Sequence, residues 1–133
     1  MLKEEYILAV GIRDKSEMLE SVPVRVILCD KGLDALRCLK QARTRMLISK
    51  WDLPDMPDGD LLCRFTQANP YMPTIAFVEA NNTEQEIEAR TLGVTCVLAD
   101  DTNYDEFFAA VCQVLELSSI KQLQLMEHVT SEY

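Results

Sequence analysis

The sequence is short of positive charge, of histidine and of long apolar runs, and each shortage argues against a class of function. Lys and Arg number 13 against 22 Asp and Glu, so the formal net charge is −9, whereas surfaces that bind nucleic acid need clustered Lys and Arg. The same charge disfavours adsorption to anionic membranes, and no apolar run approaches the ~18 residues of a membrane span. We therefore expect neither a nucleic-acid partner nor a membrane partner.

From the sequence we expect neither a secretion signal nor a cluster of metal ligands. Its apolar N-terminal segment has no small-residue cleavage pattern, so we expect a cytoplasmic protein. No CxxC pair is present, and the single histidine, His128, is far from every cysteine, whereas a zinc site needs clustered ligands. We expect no metal and no cofactor. We expect the thiols to be buried and reduced; they are Cys29, Cys38, Cys63, Cys96 and Cys112.

The sequence does contain a regular alternation of short apolar runs and helical patterns, within a length suited to one domain. Five apolar runs predict strands, at 6–10, 24–28, 45–49, 73–78 and 94–99. A capping box at Thr83 and Glu86 predicts the start of the fourth helix and Gly93 its end, and Asn103 predicts the start of the fifth. Continuous apolar strands are typical of a parallel sheet covered on both faces. The predicted fold class is α/β, a doubly wound five-stranded parallel sheet of (βα)₅ type.

Such sheets bind ligands beyond the carboxyl ends of their strands, and one segment there is especially informative. The stretch "LISKWDLPDMPDGDLL", Leu47 to Leu62, resembles the phosphoacceptor segment of response-regulator receiver domains, the CheY-like modules of two-component signalling. Receivers have there an apolar strand, the acceptor aspartate, three residues, a proline, and a loop ending in Asp-Gly. Pro54 sets the register, so Lys50 occupies the acceptor position, and Pro57 resembles a one-residue insertion. The resemblance covers roughly residues 5–118 and implies the flavodoxin-like receiver fold.

The other chemical positions of the family are changed as well. The resemblance places the Mg²⁺-binding acidic pair on Gly11 and Ile12, the Ser or Thr of the fourth strand on Val78, and the Lys-Pro pair of the fifth strand on Asp100 and Asp101. An ammonium group at the acceptor position cannot form the mixed anhydride of an aspartyl phosphate, and Mg²⁺ prefers oxygen ligands. The resemblance therefore implies a pseudo-active site without catalysis and without metal.

Lys50 and Asp100 reverse the charges of the family's Asp–Lys pair. We expect the two side chains to form an ion pair across the sheet edge and to hold the loops there in one arrangement. The alternative is that both positions became solvated once phosphorylation was lost. An exposed pair would contribute only ~0–1 kcal/mol.

Aromatic residues near this edge are candidates for an interaction surface. Trp51, the only tryptophan, is either a binding anchor or a hydrophobic lid over a neighbouring loop. Phe107 and Phe108 point about 100° apart on a helix, so we expect one of them to be half-exposed beside Tyr104. The resemblance implies docking on the face of the fourth helix, fifth strand and fifth helix. The alternative is that both rings are buried and the acids around them are simply solvated.

Two functions of different classes follow from these observations. The first is a non-catalytic pseudo-receiver, a protein-interaction module that binds a histidine kinase, another regulator or a second copy of itself in two-component or phosphorelay signalling. The second is a single-domain response regulator that is phosphorylated on a non-standard aspartate such as Asp52. A flavodoxin-like cofactor binder is disfavoured because no glycine-rich phosphate loop follows the first strand. We expect the receiver-like domain over 1–118 and a helical extension or tail over 119–133.

Overall fold

The structure, a computed structural model, describes residues 5–116 of the 133. A five-stranded parallel sheet has the order β2-β1-β3-β4-β5. Its strands are β1 (Tyr6–Val10), β2 (Arg25–Cys29), β3 (Thr44–Lys50), β4 (Thr74–Val78) and β5 (Cys96–Ala99). The helices are α1 (Ser16–Leu19), which follows a 3₁₀ turn (Arg13–Lys15), then α2 (Gly32–Gln41), α3 (Asp60–Ala68), α4 (Thr83–Leu92) and α5, which is helical over 104–116. The predicted fold class is confirmed.

The strand bounds follow the apolar runs closely. β1 coincides with its predicted range, and all five residues of the inner strand β4 are buried, as continuous apolar strands require. The other strands differ from prediction by one or two residues at an end. β2 begins and ends one residue later than expected, β3 extends one residue further at each end, and β4 begins one residue late. The two-residue difference is at the start of β5, Cys96, in an edge strand that has a neighbour on one side only.

The ends of α4 and α5 show which residues start and stop these helices. Asn82, not Thr83, caps α4, because its side-chain oxygen accepts a hydrogen bond of 3.1 Å from an N–H of the first turn. The predicted capping box is therefore wrong by one residue: Asn82 has the extended backbone of a cap, and Thr83 is already helical. The predicted end at Gly93 is confirmed, with a φ of 91°. The predicted cap of α5 is also confirmed, because Asn103 Oδ1 accepts a hydrogen bond of 2.8 Å from the N–H of Glu106.

Each face of the sheet is covered by its own group of helices. We call these the α1–α5 face and the α2–α4 face. On the α1–α5 face, Phe107 packs against Phe77 of β4 with the ring centroids 5.6 Å apart. On the α2–α4 face, the core is built from Leu61, Leu62 and Phe65 of α3, Ala35 of α2 and Ala89 of α4, packed on the opposite side of the strands.

On the α1–α5 face, the helix α1 is short and has only four residues. The chain leaves this helix for β2 through Val22 and Pro23, and a residue that precedes proline is disfavoured in a helix. A groove of about 790 Å³ lies between α1 and β2, where Leu19 faces Val26 and Leu28. Both of these β2 side chains are consequently only half-buried.

Two further features concern the chain as a whole. Over the range 5–116, no helix is long and apolar enough to cross a lipid bilayer. The predicted extension over 119–133 and the boundary at residue 118 lie outside the described residues.

Candidate functional site

The candidate site lies at the carboxyl edge of the sheet, where β1 ends beside β3. The strand order reverses at β1, which has β2 on one side and β3 on the other, and doubly wound sheets bind ligands at such a point. Gly11 follows β1, Lys50 ends β3, Val78 ends β4 and Asp100 follows β5. The fold therefore brings the predicted positions to one edge, but it does not make all of the predicted contacts between them.

The two residues that follow β1 offer no ligand for a cation. Gly11 has no side chain, and Ile12 is buried in the core of the α1–α5 face with 1% of its surface exposed. Gly11 has a φ of 75°, and a Cβ placed on it would lie 2.5 Å from Leu53 Cδ2 and 3.2 Å from Lys50 Cβ. A side chain at position 11 would therefore strain the backbone and also displace its neighbours.

Lys50 is half-buried, with its aliphatic stem close to Gly11. In the sheet it is the register partner of Phe77 on β4. Within the described range, none of the ion pairs involves Lys50. The predicted ion pair between Lys50 and Asp100 is therefore wrong.

Asp100 has a different lysine beside it. The Nζ of Lys15 lies 3.3 Å from Asp100 Oδ1 and 3.2 Å from Asp14 Oδ2. The Lys15 side chain is only 9% exposed, and its ammonium group lies 5.4 Å from the centroid of the Phe77 ring, within the range of a cation–π contact. Lys15, and not Lys50, is therefore the ion-pair partner of Asp100 in the described part of the chain.

Val78 and Asp101 complete the set of positions that the resemblance assigned. Val78 is 5% exposed and packs into the α2–α4 face, and its carbonyl accepts a hydrogen bond of 2.8 Å from the N–H of Asp100. This bond ties the ends of β4 and β5 together. Asp101 is exposed.

Sequence reasoning did not single out Lys15. It lies in "GIRDKSEM" among charged neighbours, a pattern that indicates an exposed loop. Its burial depends on Asp100 and Phe77, which are far away in the chain. The available signal was its position in the first loop at the carboxyl edge, where a lysine can approach the acid that follows β5.

Trp51 is part of the core and not an exposed side chain. It is 4% exposed and belongs to the α2–α4 face. Its ring covers Gly59, where a Cβ would overlap the indole, and Gly59 has a φ of 73°. The interpretation of Trp51 as a hydrophobic lid is confirmed, and its interpretation as a binding anchor is wrong, because an anchor must be accessible to a partner.

Asp55 caps α2 from the β3–α3 loop. Its Oδ1 and Oδ2 accept hydrogen bonds of 2.8 Å and 3.0 Å from the N–H groups of Gly32 and Leu33. These two bonds, the one from Leu33 above all, hold the pKa of the Asp55 carboxyl below its usual value. The loop is therefore attached to the N-terminus of α2 by a carboxylate where the positive end of the helix dipole favours negative charge.

Asp52 has both of its carboxylate oxygens in hydrogen bonds. Oδ1 accepts a bond of 2.6 Å from the N–H of Asp58, which closes the loop on itself. Oδ2 accepts a bond of 3.3 Å from the side-chain amide of Gln85 on α4. The side chain is exposed to solvent, and its contacts connect the β3–α3 loop to the start of α4.

The three aromatic residues at the start of α5 divide as predicted into one buried ring and an exposed pair. Phe107 is fully buried, whereas Phe108 is half-buried and stacks on Tyr104 with the centroids 5.8 Å apart. Tyr104 is 40% exposed, and its hydroxyl is hydrogen-bonded to Ser21, just beyond α1. The exposed pair therefore lies on the side of α5 that faces α1, which differs from the predicted docking face of the fourth helix, fifth strand and fifth helix.

Comparison with known proteins agrees with this geometry at the level of the fold. No family model and no curated protein matches the sequence. Solved structures do match. The CheY-like response regulator receiver domain protein of Methanospirillum hungatei has a TM-score of 0.78 at 16% identity, over 89% of this chain and 98% of that one. The fold is that of a receiver domain. The signal receiver domain of an HD domain-containing protein from Pseudomonas fluorescens has a TM-score of 0.78 at 20% identity, over 92% and 93% of the two chains.

A third receiver shows the same similarity. The receiver domain of NtrX from Brucella abortus has a TM-score of 0.75 at 19% identity, over 83% of this chain and 98% of that one. The receiver fold implies a Mg²⁺ site at the carboxyl edge, and the residues here do not fit it. Gly11, Ile12 and Lys50 provide no oxygen ligand from their side chains, and over residues 5–116 no three His, Cys, Asp or Glu side chains are grouped so that they could hold a metal ion.

Proposed function

We propose that the protein is a non-catalytic pseudo-receiver, a protein-interaction module of two-component or phosphorelay signalling that is not phosphorylated at the family's usual position. The observation that carries this proposal is the buried Lys15, held between Asp14 and Asp100 over Phe77. In the receiver family an aspartate ends β3 and a lysine follows β5. Here Lys50 ends β3 and Asp100 follows β5, and the Asp100 carboxylate is paired with the ammonium group of Lys15.

Two arguments support the absence of phosphoryl transfer. An ammonium group at position 50 cannot accept a phosphoryl group as an aspartate does. Phosphoryl transfer also depends on charge neutralisation around the transferred group, and neither Gly11 nor Ile12 can hold the cation that would supply it. A cytoplasmic location and the absence of enzyme activity are part of the same proposal.

The first experiment is incubation with acetyl phosphate and Mg²⁺, followed by intact-mass measurement. The mass is expected to stay unchanged. The variant Lys50→Asp is expected to stay unmodified as well, because Gly11 and Ile12 still supply no side-chain oxygen for Mg²⁺. A stoichiometric phosphoryl adduct on the unaltered protein would reject the pseudo-receiver.

The alternative is a response regulator phosphorylated on Asp52. The exposure of Asp52 to solvent favours this alternative. The hydrogen bonds that its carboxylate accepts from Asp58 and Gln85 oppose it, because one oxygen must be released before it can act as a nucleophile. If an adduct forms, Asp52→Asn abolishes it under this alternative. The matched variant Asp58→Asn, in the same loop, leaves such an adduct in place.

We further propose that Tyr104 and Phe108 form the docking surface. The pair presents a stacked aromatic patch, and it is flanked by the exposed acids Glu20 and Asp105, the chain neighbours of Ser21 and Tyr104. An aromatic centre with a charged rim is typical of protein interfaces. The negative rim favours a signalling protein with a basic rim around an apolar centre.

This surface is tested with Tyr104→Ala and Phe108→Ala. Sedimentation of the protein alone measures self-association, and quantitative mass spectrometry of co-purified proteins measures partner binding. Both variants are expected to lose a bound species that Tyr71→Ala retains, since Tyr71 is 84% exposed and lies far along the chain, between α3 and β4. Equal binding by all three variants, with lower thermal stability of the first two, would show that these aromatics act only in folding.

A further inference from the structure

A pair of thiols outside the candidate site lies in direct contact. Cys29 ends β2 and Cys38 lies on α2, and their sulfur atoms are 3.7 Å apart. All five cysteines lie in the described range and are free thiols, and this is the pair whose sulfurs the structure brings together. A disulfide needs the two sulfurs at about 2.05 Å, so the pair at 3.7 Å must approach further to form the bond.

The two cysteines differ in their surroundings. Cys29 is 7% exposed, and burial raises the pKa of its thiol to about 12, with a further contribution from the hydrogen bond to Cys38. Cys29 therefore stays protonated at neutral pH. Cys38 is half-buried on the outer helix, so it is the sulfur that a small oxidant meets first. The thiolate is the form that reacts with peroxide.

We propose that Cys29 and Cys38 form a reversible disulfide when the protein is exposed to a peroxide, which makes the β2–α2 junction an oxidative modification site. In the first step the Cys38 thiolate attacks one peroxide oxygen, the O–O bond breaks, and the hydroxide released takes up a proton to become water. Cys38 is thereby oxidised to a sulfenic acid. In the second step the Cys29 sulfur attacks the Cys38 sulfur, the S–O bond breaks, and the departing oxygen leaves as water with the Cys29 proton. Two thiols and one peroxide thus give one disulfide and two waters.

The cross-link would act on the edge of the candidate site. It closes the segment 29–38, which contains Asp30 and the start of α2. Asp30 accepts a hydrogen bond of 2.9 Å from Arg13 in the first loop, and the N-terminus of α2 is bound by Asp55 from the β3–α3 loop. Oxidation would therefore constrain the segment to which two of the loops around the sheet edge are hydrogen-bonded.

The test treats the folded full-length chain with hydrogen peroxide and follows its intact mass. The expected product is lighter by about 2 Da, the mass of two hydrogen atoms, and dithiothreitol restores the original mass. Peptide mapping without reduction is expected to find Cys29 joined to Cys38. Cys38→Ser is expected to abolish the loss of mass, while Cys63→Ser, a half-buried cysteine on α3, keeps it.

Cys29→Ala provides a second variant, because it removes the partner sulfur without placing a polar group in the core. It is expected to convert the product into stable oxygen adducts on Cys38. A wild-type protein that only gains oxygen, or whose cross-link joins other cysteines, would overturn the proposal. So would a Cys38→Ser protein that still loses about 2 Da.

Discussion

The same five strands supply both faces of the sheet, yet the two faces are covered to different degrees. On the α2–α4 face, three helices of ten, nine and ten residues pack against the strands. On the α1–α5 face, α1 has four residues, and a groove of about 790 Å³ remains beside β2. Trp51 and Asp55 are held in place on the side of the α2–α4 face, whereas the exposed aromatic pair of Tyr104 and Phe108 lies on the side of the α1–α5 face.

The short α1 also bears on which lysine supplies the ammonium group beside Asp100. The chain makes a 3₁₀ turn before the short α1, and Lys15 at the end of that turn extends over Phe77 on the α1–α5 face. On the α2–α4 face, the β3–α3 loop is held by buried apolar contacts and carboxylate hydrogen bonds instead.

The largest expected effect compares a core residue on each face. Phe65→Ala on the α2–α4 face is expected to lower the free energy of unfolding by about 3–5 kcal/mol, because the surrounding helices cannot collapse into the cavity. Leu19→Ala on the α1–α5 face is expected to lower it by less than about 2 kcal/mol, since the groove lets neighbours and water fill the space. Urea denaturation measures both. Equal losses would mean that the α1–α5 face is as tightly closed as its counterpart.

The next effect tests the charges at the sheet edge. Asp100→Asn is expected to destabilise the protein by about 1–3 kcal/mol, because it removes a partner from the buried ammonium of Lys15. Lys15→Met is expected to change stability by less than about 1 kcal/mol, because an apolar side chain of similar shape replaces the buried charge and Asp100 is partly hydrated.

Lys50→Met is the matched control for this pair, because Lys50 has no ion pair within residues 5–116. We expect Asp100→Asn to lower the free energy of unfolding by the same amount in the Lys50→Met protein as in the unaltered protein. A double-mutant cycle measures this. A coupling between positions 50 and 100 larger than that between 15 and 100 would restore the original hypothesis of a Lys50–Asp100 pair.

The smallest expected effect is a dependence of stability on pH that comes from Asp55, on the side of the α2–α4 face. The pKa of Asp55 is lowered in the folded protein from its usual 3.8. Its stabilising contribution is therefore fully present above about pH 3.8 and is lost as the pH falls through the lower folded-state value. Asp55→Asn is expected to reduce the thermal midpoint slightly at pH 7, and the difference from the unaltered protein is expected to shrink below pH 3.8.

Asp58→Asn, in the same loop, controls for the loss of one negative charge. Thermal unfolding followed by circular dichroism between pH 7 and pH 3 distinguishes the two variants. A stability difference for Asp55→Asn that is the same at every pH would mean that its carboxylate charge does not contribute to capping α2.

Much of the fold could be predicted because its signals are local. The apolar run at 6–10 coincides with β1, and the predicted cap of α5 at Asn103 is present. Gly93 ends α4 because its φ of 91° is accessible to glycine at little cost. Lys50 could likewise be assigned to the acceptor position from its own segment, since Pro54 and the Asp-Gly that follows it set the register of the loop.

The sequence by itself determined the succession of strands and helices along the chain and the residues that lie where each strand ends. Both can be derived from hydrophobic periodicity and from residues that are close neighbours in the chain. Which of those side chains pair was decided by the tertiary structure. Lys15 is buried because the fold brings Phe77 and Asp100 to it, Asp55 is a cap because the β3–α3 loop lies against α2, and Trp51 is covered because Gly59 leaves room for its ring. Burial and charge pairing depend on distances between residues remote in the chain, and no local pattern records those distances.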